Sequence, residues 1–333
     1  MNIALFLKVK EITNPVYLVG GSVRDLLLGK EPKDYDFTTP ILPEKIEALI
    51  RQVGRKPYLI GKRFGTIGVK IDGQMMEITT FRTEKYSEGN RKPEVNFVND
   101  LAEDLSRRDF TINAMAFDGE NIIDLFNGKE DLENKIIKCV DKPNERFKED
   151  PLRMLRAGRF ASQLGGTIEE ETENLTKQLN YKILEISKER WVMELDKILL
   201  SNNPEIGLNF LIRTKIMNFI LPEISMQKDY DQNNPHHKLT LWEHTLEVVK
   251  NTPNDIELRW GALLHDIAKP FIRIDNNKGY SNYIKHDILG GEFVLRFASY
   301  LKWSNRRRDS VYNLVVNHLT ESSPLRKVDM EAK

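Results

Sequence analysis

Residues 16–39 read VYLVGGSVRDLLLGKEPKDYDFTT, and this stretch decides the fold of the N-terminal part of the chain. The apolar run Val16–Val19 predicts a buried strand that stops at the turn Gly20-Gly21. The residues after the turn predict a short helix, and Asp34–Thr39 predicts a second short strand that ends before Pro40. A strand, a glycine turn, a helix and another strand are typical of an α/β domain.

Farther along the chain, the pattern changes from strands to helices. Thr66–Ile71 and Met75–Thr80 flank Asp72-Gly73, which predicts a β-hairpin. After about residue 145 the strand signals fade and apolar residues recur at helical spacing. Proline residues mark the predicted helix boundaries at Pro204, Pro222, Pro235 and Pro253. We therefore expect an α/β N-terminal domain followed by an all-α remainder.

The composition limits the class of protein. The 333 residues include 50 Lys+Arg and 50 Asp+Glu, so a globally basic coat for nucleic acid is excluded. The hydrophobic fraction of 40% excludes disorder as the main state. Cys139 is the single cysteine, which excludes an internal disulfide and a Cys-rich zinc site and fits the reducing cytoplasm. No run of ~18 apolar residues predicts a membrane span, and the oligomeric state is not indicated.

The glycine turn and the Asp-x-Asp pair indicate a phosphate and metal site. Gly20-Gly21 lets a ligand approach the backbone, the helix N-terminus suits a phosphate, and Arg24 adds a charged donor. Asp34 and Asp36 project their carboxylates to one side of a strand. Mg²⁺ prefers such ligands, and two such ions clamp an attacking oxygen and a leaving pyrophosphate. A solvated polar turn is the alternative, but the upstream glycine and arginine residues favour the metal site.

Two more groups of polar residues extend this candidate site. Glu77, on the strand predicted after the hairpin, is either a third carboxylate near the metals or an exposed strand residue. Arg107-Arg108 is followed by Asp109 and Asn113, a set that could hold a triphosphate and a ribose hydroxyl. For that set, a charged and capped helix start is the alternative.

Residues 149–159 read EDPLRMLRAGR and suggest how a base is selected. Pro151 predicts a first helical turn with Asp150 as its N-cap. Asp150 would share a helix face with three arginine residues, namely Arg153, Arg156 and Arg159. A carboxylate accepts from the amino group of cytosine or adenine, and a guanidinium donates to the adjacent ring nitrogen. A simple N-cap with a local ion pair is the alternative, but it does not explain three arginine residues without an anion nearby.

Together these motifs resemble those of class II tRNA nucleotidyltransferases, which belong to the polymerase-β-like superfamily and include CCA-adding enzymes and bacterial poly(A) polymerases. The resemblance covers roughly residues 16–200. It rests on the segments Leu18–Asp25, Lys33–Phe37, Glu77–Arg82, Arg107–Ala116, Asp124–Leu132, Glu149–Ala161 and Ser187–Glu194. It implies an α+β fold, with a mixed sheet in the N-terminal catalytic domain and an all-α neck and body after it.

The resemblance also implies roles for the candidate residues. Asp34 and Asp36 would be catalytic residues that bind Mg²⁺, and Glu77 is a further catalytic candidate. Asp150 and Arg153 would be the protein template for the incoming base. The whole candidate nucleotide-binding set is Gly21, Arg24, Arg108, Asp109, Asn113, Asp150, Arg153, Arg156 and Arg159.

The implied reaction is template-independent addition of CCA to tRNA, in which the tRNA 3′-hydroxyl attacks the α-phosphate of CTP or ATP and releases pyrophosphate. The segment Arg82–Phe97 resembles the flexible loop of the family and favours an enzyme that adds more than C alone. Partial A-adding or CC-adding enzymes and poly(A) polymerases share these motifs and stay open as alternatives. Arg306–Arg308 is a candidate tRNA contact.

The last hundred residues contain a second candidate site. EHTL and LLHDIAK resemble motifs of the HD phosphohydrolase superfamily, and imidazole with carboxylate suits Zn, Mn, Ni or Fe. The candidate ligands lie on or beside predicted helices and are His244, His265, Asp266, His286 and His318. The closing aspartate is expected at Asp309 or Asp287. Metal-dependent phosphohydrolysis as the main activity is the second functional hypothesis, and a helical scaffold with structural histidines is the third.

The motifs divide the chain into three expected domains. Residues 1–140 form the nucleotidyltransferase domain, residues 141–232 the helical neck and body with the base template, and residues 233–333 the HD-type domain. The chain ends earlier than relatives with an HD domain, which indicates either a truncated chain or an enzyme that measures its substrate with less protein.

Overall fold

The computed structural model describes residues 3–85, 94–235 and 238–332, which form two compact units. The first unit is Met1–Asp150 and the second is Pro151–Lys333. The division of the helical remainder into a neck and body and an HD-type domain stays a prediction.

The first unit combines short helices with a mixed sheet. Its helices are α1 Ile3–Ile12, α2 Gly21–Leu27, α3 Pro43–Gln52, α4 Leu101–Ser106, α5 Gly128–Glu133 and α6 Pro143–Glu149. Its strands are β1 Tyr17–Val19, β2 Tyr35–Thr39, β3 Pro57–Tyr58, β4 Thr66–Ile71, β5 Gln74–Thr80, β6 Arg82–Lys85, β7 Glu94–Phe97, β8 Met115–Phe117, β9 Ile122–Asp124 and β10 Ile136–Ile137. Two 3-10 turns cover Lys62–Phe64 and Thr111–Asn113.

Seven of these strands form one sheet in the order β3-β4-β5-β2-β1-β8-β9. The pair β2 and β5 is parallel, whereas the other neighbouring pairs are antiparallel. The mixed sheet expected from the family resemblance is therefore confirmed. The predicted hairpin is also confirmed, because Asp72 and Gly73 both have positive φ, at 49° and 86°, as a type I′ turn between β4 and β5 requires.

The two faces of the sheet differ in polarity. On one face, Phe37 of β2 is 1% exposed and packs against Phe6 of α1, whose ring centroid is 6.0 Å away. Ile67 of β4 and Ile78 of β5 are fully buried on the same face. The strand residues between them point to the other face, where the side chains of Asp36 and Glu77 are exposed. One face of the sheet therefore packs against the hydrophobic core, and the other face carries exposed polar side chains.

The second unit is helical, as the fading strand signals predicted. Its helices are α7 Leu152–Leu164, α8 Glu170–Leu179, α9 Lys188–Leu199, α10 Pro204–Arg213, α11 Met217–Ile220, α12 Pro222–Ser225, α13 Leu241–Asn251, α14 Ile256–Leu264, α15 His286–Tyr300, α16 Asn305–Val316 and α17 Arg326–Glu331. Three two-residue strands are β11 Thr167–Ile168, β12 Ile274–Asp275 and β13 Ser281–Asn282, and 3-10 turns cover Asn180–Glu185 and Lys269–Phe271. In the described parts of the chain, no helix is long and apolar enough to cross a membrane.

One predicted helix start needs correction. Helix α7 begins at Leu152 with Pro151 as its N-cap, so Asp150 is not the N-cap; it is the extended residue that closes α6. Pro151 has helical dihedrals, with φ −59° and ψ −18°, so the backbone turns into the helix directly after the extended Asp150. Helix α14 ends at Leu264, and Pro270 lies in the 3-10 turn that follows it.

Candidate active site and metal centre

The turn after β1 places the backbone of Gly20 close to the side chain of Arg108. Gly20 has φ +68° and ψ −136°, a conformation that side-chain-bearing residues rarely adopt. A Cβ atom at Gly20 would also lie 2.9 Å from Nη1 of Arg108. Gly21 is the first residue of α2 and has ordinary dihedrals, so the candidate Gly21 is adjacent to the residue whose backbone requires glycine.

A buried serine fixes the Asp-x-Asp segment. The hydroxyl of Ser22, which is 2% exposed, donates to the carbonyl oxygen of Asp34 at 2.9 Å and accepts from the N–H of Asp36 at 3.2 Å. Asp34 precedes β2 and Asp36 lies within it, and both side chains are exposed on either side of the buried Tyr35. Alternation along the strand therefore places both carboxylates on the open face, as predicted.

Glu77 joins the two aspartates on this face. Strand β5 pairs with β2 in parallel, and the register places Glu77 opposite Asp36. Partial burial raises the pKa of Asp36 above its usual value, Glu77 raises it further, Arg108 lowers it, and Asp34 raises it. Among the described residues, the oxygens of these three carboxylates are not all within 4.8 Å of one another. The three carboxylates lie on one face and affect each other's charge, but they do not form a complete set of metal ligands. This arrangement fits Mg²⁺, which is commonly bound by one or two carboxylates together with substrate phosphates.

Arg108 is held beside this face by a buried carboxylate. Asp104 is fully buried and accepts from Nη2 of Arg107 at 3.1 Å and from Nη2 of Arg108 at 3.5 Å. Burial by itself would raise the pKa of Asp104, but the two guanidinium groups and the N–H of Arg82 lower it below the usual value. The carboxylate therefore stays ionised and fixes both arginine residues, and its role is not visible in the sequence motif.

The other candidate phosphate and sugar ligands form a connected network. Nη1 of Arg24 donates to the side-chain oxygen of Asn113 at 2.7 Å, and the amide nitrogen of Asn113 donates to Asp109 at 3.0 Å. Asp109 and Asn113 are buried. The structure thus brings together the predicted set of Arg24, Asp109 and Asn113.

The candidate base template begins where the first unit ends. Asp150 is half-buried, and Arg153, in the first turn of α7, is 8% exposed. Arg156 lies one turn later, with its guanidinium carbon 5.3 Å from the ring centroid of Phe160. These positions keep Arg153 and Arg156 on one side of α7, as the spacing predicted.

Arg159 has a carboxylate partner that the sequence did not reveal. Its Nη1 lies 3.1 Å from Oε2 of Glu194 on α9, and both side chains are buried. The expectation that the arginine stripe needs an external anion is therefore wrong for Arg159, because Glu194 balances its charge. The assignment of Arg159 to the nucleotide stays a prediction.

In the second unit, four histidine and two aspartate residues form two groups that share Asp266. The first group is His244, His265, Asp266 and Asp329, and the second is Asp266, His286 and His318; within each group the ligand atoms lie within 4.8 Å of one another. Oδ2 of Asp266 is 3.2 Å from Nε2 of His265, and Oδ1 is 3.1 Å from Nε2 of His286. The two carboxylate oxygens thus face different groups.

The histidine rings are oriented by the backbone. Nδ1 of His265, of His286 and of His318 lies 2.7, 2.6 and 2.6 Å from a carbonyl oxygen of Ala262, Tyr283 and Val315, respectively. A ring that donates from Nδ1 presents the lone pair of Nε2, the form that binds metals. Nε2 of His286 and Nε2 of His318 are only 3.2 Å apart. Two facing lone pairs at this distance repel each other unless a cation lies between them, so the donor set fits a metal.

The closing aspartate is Asp329, not the predicted Asp309 or Asp287. Oδ1 of Asp329 on α17 lies 3.1 Å from Nε2 of His244, whereas Asp309 pairs with Arg308 at the surface. Burial by itself would raise the pKa of Asp266, but the neighbouring His265 and Lys269 hold it well below its usual value. His236, His237 and residues 86–93 of the predicted flexible loop lie outside the described residues.

Comparison with known proteins gives the same order of parts. Residues 16–138 match the family model of the poly A polymerase head domain, residues 166–227 match the probable RNA and SrmB-binding site of polymerase A, and residues 237–332 match the HD domain. The chain is 39% identical over 264 residues to a CCA-adding enzyme of Pediococcus pentosaceus, covering 76% of this chain and 65% of that protein. In sequence the chain is thus similar to poly(A) polymerases and CCA-adding enzymes.

Two further proteins show the same similarity. A CCA-adding enzyme of Enterococcus faecalis is 47% identical over 201 residues, which are 60% of this chain and 48% of that protein. The solved CCA-adding enzyme of Bacillus stearothermophilus in complex with CTP matches with a TM-score of 0.64 at 29% identity, covering 98% of this chain and 80% of that chain. The chain spans between about half and two thirds of the length of the two curated relatives.

Sequence reasoning from the family motifs missed three groups. Ser22 and Asp104 position the motif residues without belonging to the chemistry, so no catalytic pattern marks them. Asp329 is one of two acids in a short charged helix and resembles any surface residue. An aspartate on a short helix after the last histidine was the signal that could have found it.

Proposed function

We propose that the chain is a template-independent tRNA nucleotidyltransferase that adds C and A to the 3′ end of tRNA from CTP and ATP. The observation that carries the proposal is the exposed sheet face on which Asp34, Asp36 and Glu77 lie beside the Gly20 turn and Arg108. The relatives named CCA-adding enzymes support the same activity.

In this proposal each residue has a defined task. Asp34 and Asp36 hold Mg²⁺, which when bound neutralises phosphate charge and polarises the reacting oxygens. Arg108 and Arg24 pair with the triphosphate, and Asn113 lies where a ribose hydroxyl would be held. The bond from the 3′-oxygen to the α-phosphorus forms, the bond to the β-phosphate oxygen breaks, and pyrophosphate leaves.

We assign base selection to Asp150 and Arg153. The carboxylate accepts from the exocyclic amino group that cytosine and adenine share, and the guanidinium donates to the neighbouring ring nitrogen. Uracil and guanine present an oxo group there and would leave Asp150 facing another acceptor. One residue pair therefore suits both substrates of CCA addition and no other base.

Replacing Asp150 by alanine should relax base choice while nucleotide addition continues. One good base contact discriminates by about 1–3 kcal/mol, so the preference for CTP over UTP should fall roughly 5- to 150-fold. The measurement is kcat/KM for each of the four triphosphates with one tRNA acceptor. Glu145→Ala, an exposed acid on the preceding helix, is the matched control. Unchanged discrimination in the Asp150 variant would contradict the assignment.

The experiment that tests the proposed function uses tRNA that ends before CCA. The full chain receives CTP, ATP or both, and the products are sequenced. Complete CCA tails support the proposal. Tails of CC alone, of a single A after CC, or of poly(A) would identify one of the alternative members of the family, and no tail at all would overturn the proposal.

We also propose that the second unit is a metal-dependent phosphohydrolase centre, because His244, His265, His286, His318, Asp266 and Asp329 converge there. A cavity of about 180 Å³ opens beside the cluster and is lined in part by Lys269 and Tyr283. Bound transition metals would supply an activated water, and Lys269, whose Nζ is 2.6 Å from Asp266, fixes the shared carboxylate. Both activities are proposed for the cytoplasm, since the single Cys139 suits a reducing compartment.

The shared carboxylate predicts the metal content of the protein. We expect two transition-metal ions per chain after loading with Ni²⁺ or Mn²⁺, and one ion per chain in His318→Ala. Asn317→Ala, its exposed neighbour, should keep both ions. Elemental analysis after gel filtration makes the measurement, without reference to activity. A wild-type chain that retains no ion under these conditions would contradict the metal centre.

A further inference from the structure

A basic and aromatic segment borders the candidate active site on its sheet. Residues 55–70 read RKPYLIGKRFGTIGVK and contain five cations and no Asp or Glu, in a chain whose formal net charge is zero. The segment covers β3, the 3-10 turn and β4. Such a local excess of positive charge is unusual against a neutral background and indicates an anionic partner.

The register of the sheet connects this segment to the carboxylates. Asp36 pairs with Glu77, Glu77 pairs with Gly68, and Gly68 pairs with Tyr58, so the four residues form one row across β2, β5, β4 and β3. Paired residues point to the same face of a sheet. Tyr58 therefore lies on the same open face as Asp36, and its side chain is 36% exposed.

Gly68 lets the outer part of this row form a continuous surface. A Cβ atom at Gly68 would lie 3.1 Å from Cβ of Tyr58 and 3.3 Å from the sulfur of Met75. Tyr58 and Met75 thus close over the glycine, and both stay partly exposed. The result is a flat patch of an aromatic ring and a thioether, a surface on which a base can stack.

The cations of this segment are only partly balanced by carboxylates. Nζ of Lys56 lies 5.7 Å from the ring centroid of Tyr58, and the guanidinium of Arg63 lies over Phe64 at 4.5 Å. Lys62 pairs with Glu47 at 2.7 Å. Within residues 3–85, 94–235 and 238–332, no carboxylate forms an ion pair with Lys56, Arg63 or Lys70. These three cations are available for phosphates.

We propose that this surface, formed by Lys56, Tyr58, Lys70 and Met75 with Arg63 on the turn between β3 and β4, binds the single-stranded 3′ end of the RNA acceptor. Stacking rings beside unpaired cations are the usual means of holding single-stranded nucleic acid. The spacing also fits: β3 is two strands from Glu77 and three from Asp36, about 10 and 14 Å at ~4.8 Å per strand. At about 3.4 Å per stacked base, the ring lies about three to four nucleotides behind the growing end. The inference rests on the proposed nucleotidyltransferase function.

The predicted tRNA contact at Arg306–Arg308 offers less free charge than this surface. Arg307 pairs with Asp196 at 2.9 Å and Arg308 pairs with Asp309 at 2.7 Å. Two of its three guanidinium groups are therefore neutralised within the second unit. The sheet surface keeps more available charge, and it is in register with the catalytic carboxylates.

The test measures binding of tRNA that lacks CCA, without nucleotide, at several salt concentrations. Tyr58→Ala should weaken binding roughly 5- to 100-fold, since one stacked base is lost, while Tyr58→Phe should bind like wild type. The double variant Lys56→Gln with Arg63→Gln keeps the packing intact and should lower the salt slope by about 1.4. Lys129→Gln, an exposed lysine on α5, is the matched control, and it should leave the affinity for tRNA and its salt slope close to the wild-type values.

A second probe separates this proposal from its rivals. A tRNA with the single-stranded 3′ end removed should bind wild type and Tyr58→Ala equally well. Wild-type affinity of all variants for the tailed tRNA would overturn the proposal. If these variants lose binding to phosphatidylserine vesicles but bind RNA like wild type, the surface binds a membrane, and the proposal is overturned. Tyr58-dependent RNA binding in a chain that adds no nucleotide would overturn the proposed function and leave this surface standing.

Discussion

Replacing Asp36 by asparagine should reduce nucleotide addition roughly 1,000-fold or more, equivalent to about 4 kcal/mol of transition-state stabilisation. The variant removes one of the carboxylates that face the triphosphate and leaves the shape of the strand unchanged. Labelled CTP and ATP incorporation into tRNA that lacks CCA measures the effect.

The fold should survive this change, which separates a catalytic loss from misfolding. Asp36 lies opposite Glu77 and near Asp34, and these like charges repel each other in the absence of a metal. A neutral amide in place of the Asp36 carboxylate would relieve this repulsion, so the free energy of unfolding should stay the same or rise slightly. Asp72→Asn, on the turn of the same sheet, is the matched control and should keep full activity. Incorporation at the wild-type rate in both Asp34→Asn and Asp36→Asn would refute the proposed site.

Replacing Asp104 by asparagine should lower the free energy of unfolding by about 3–5 kcal/mol. The fully buried carboxylate accepts from Arg107, from Arg108 and from the hydroxyl of Thr38, and a neutral amide would leave two guanidinium charges without their partner. Since small domains are stable by only about 5–15 kcal/mol, the loss is a large share of the total. Urea unfolding at pH 7 provides the measurement.

The same carboxylate predicts a pH dependence with a definite sign. The pKa of Asp104 is lower in the folded chain than the usual value near 4. Its stabilising effect is therefore present above about pH 4 and is lost as the pH falls through the lowered pKa. The Asp104→Asn variant should show a weaker loss of stability between pH 5 and pH 2 than wild type. Glu103→Gln, the exposed neighbour, should follow the wild-type curve, and a parallel curve for Asp104→Asn would contradict this account.

Much of the first unit could be predicted because its signals are local. The apolar run before Gly20-Gly21, the alternation around Asp36 and the type I′ sequence Asp72-Gly73 each act over a few residues, and the structure has the expected elements there. The start of α7 was misplaced by one residue, because Pro151 fits both the cap and the first turn.

The parts that could not be predicted depend on residues that are distant in the chain. Arg159 meets Glu194 35 positions later, and His244 meets Asp329 85 positions later. Glu194 lies in the motif segment Ser187–Glu194, but the motif does not indicate Arg159 as its partner, and Asp329 has no local pattern that distinguishes it from a surface residue. Periodicity shows which face of an element is buried, but it does not show which charge on another element will balance it.

The single parallel pair of the sheet has a consequence for how the protein folds. Asp36 and Glu77 become neighbours only when β2 pairs with β5. The chain between these two strands contains α3, β3 and β4, which together form the crossover connection. Closing such a loop costs conformational entropy before any contact rewards it, so long-range strand pairing is slow. The β4–β5 hairpin can form early, but the carboxylates come together only when the crossover closes. Catalytic competence is thus a late event in folding, and a nascent chain released before that step would have most of its secondary structure and no activity.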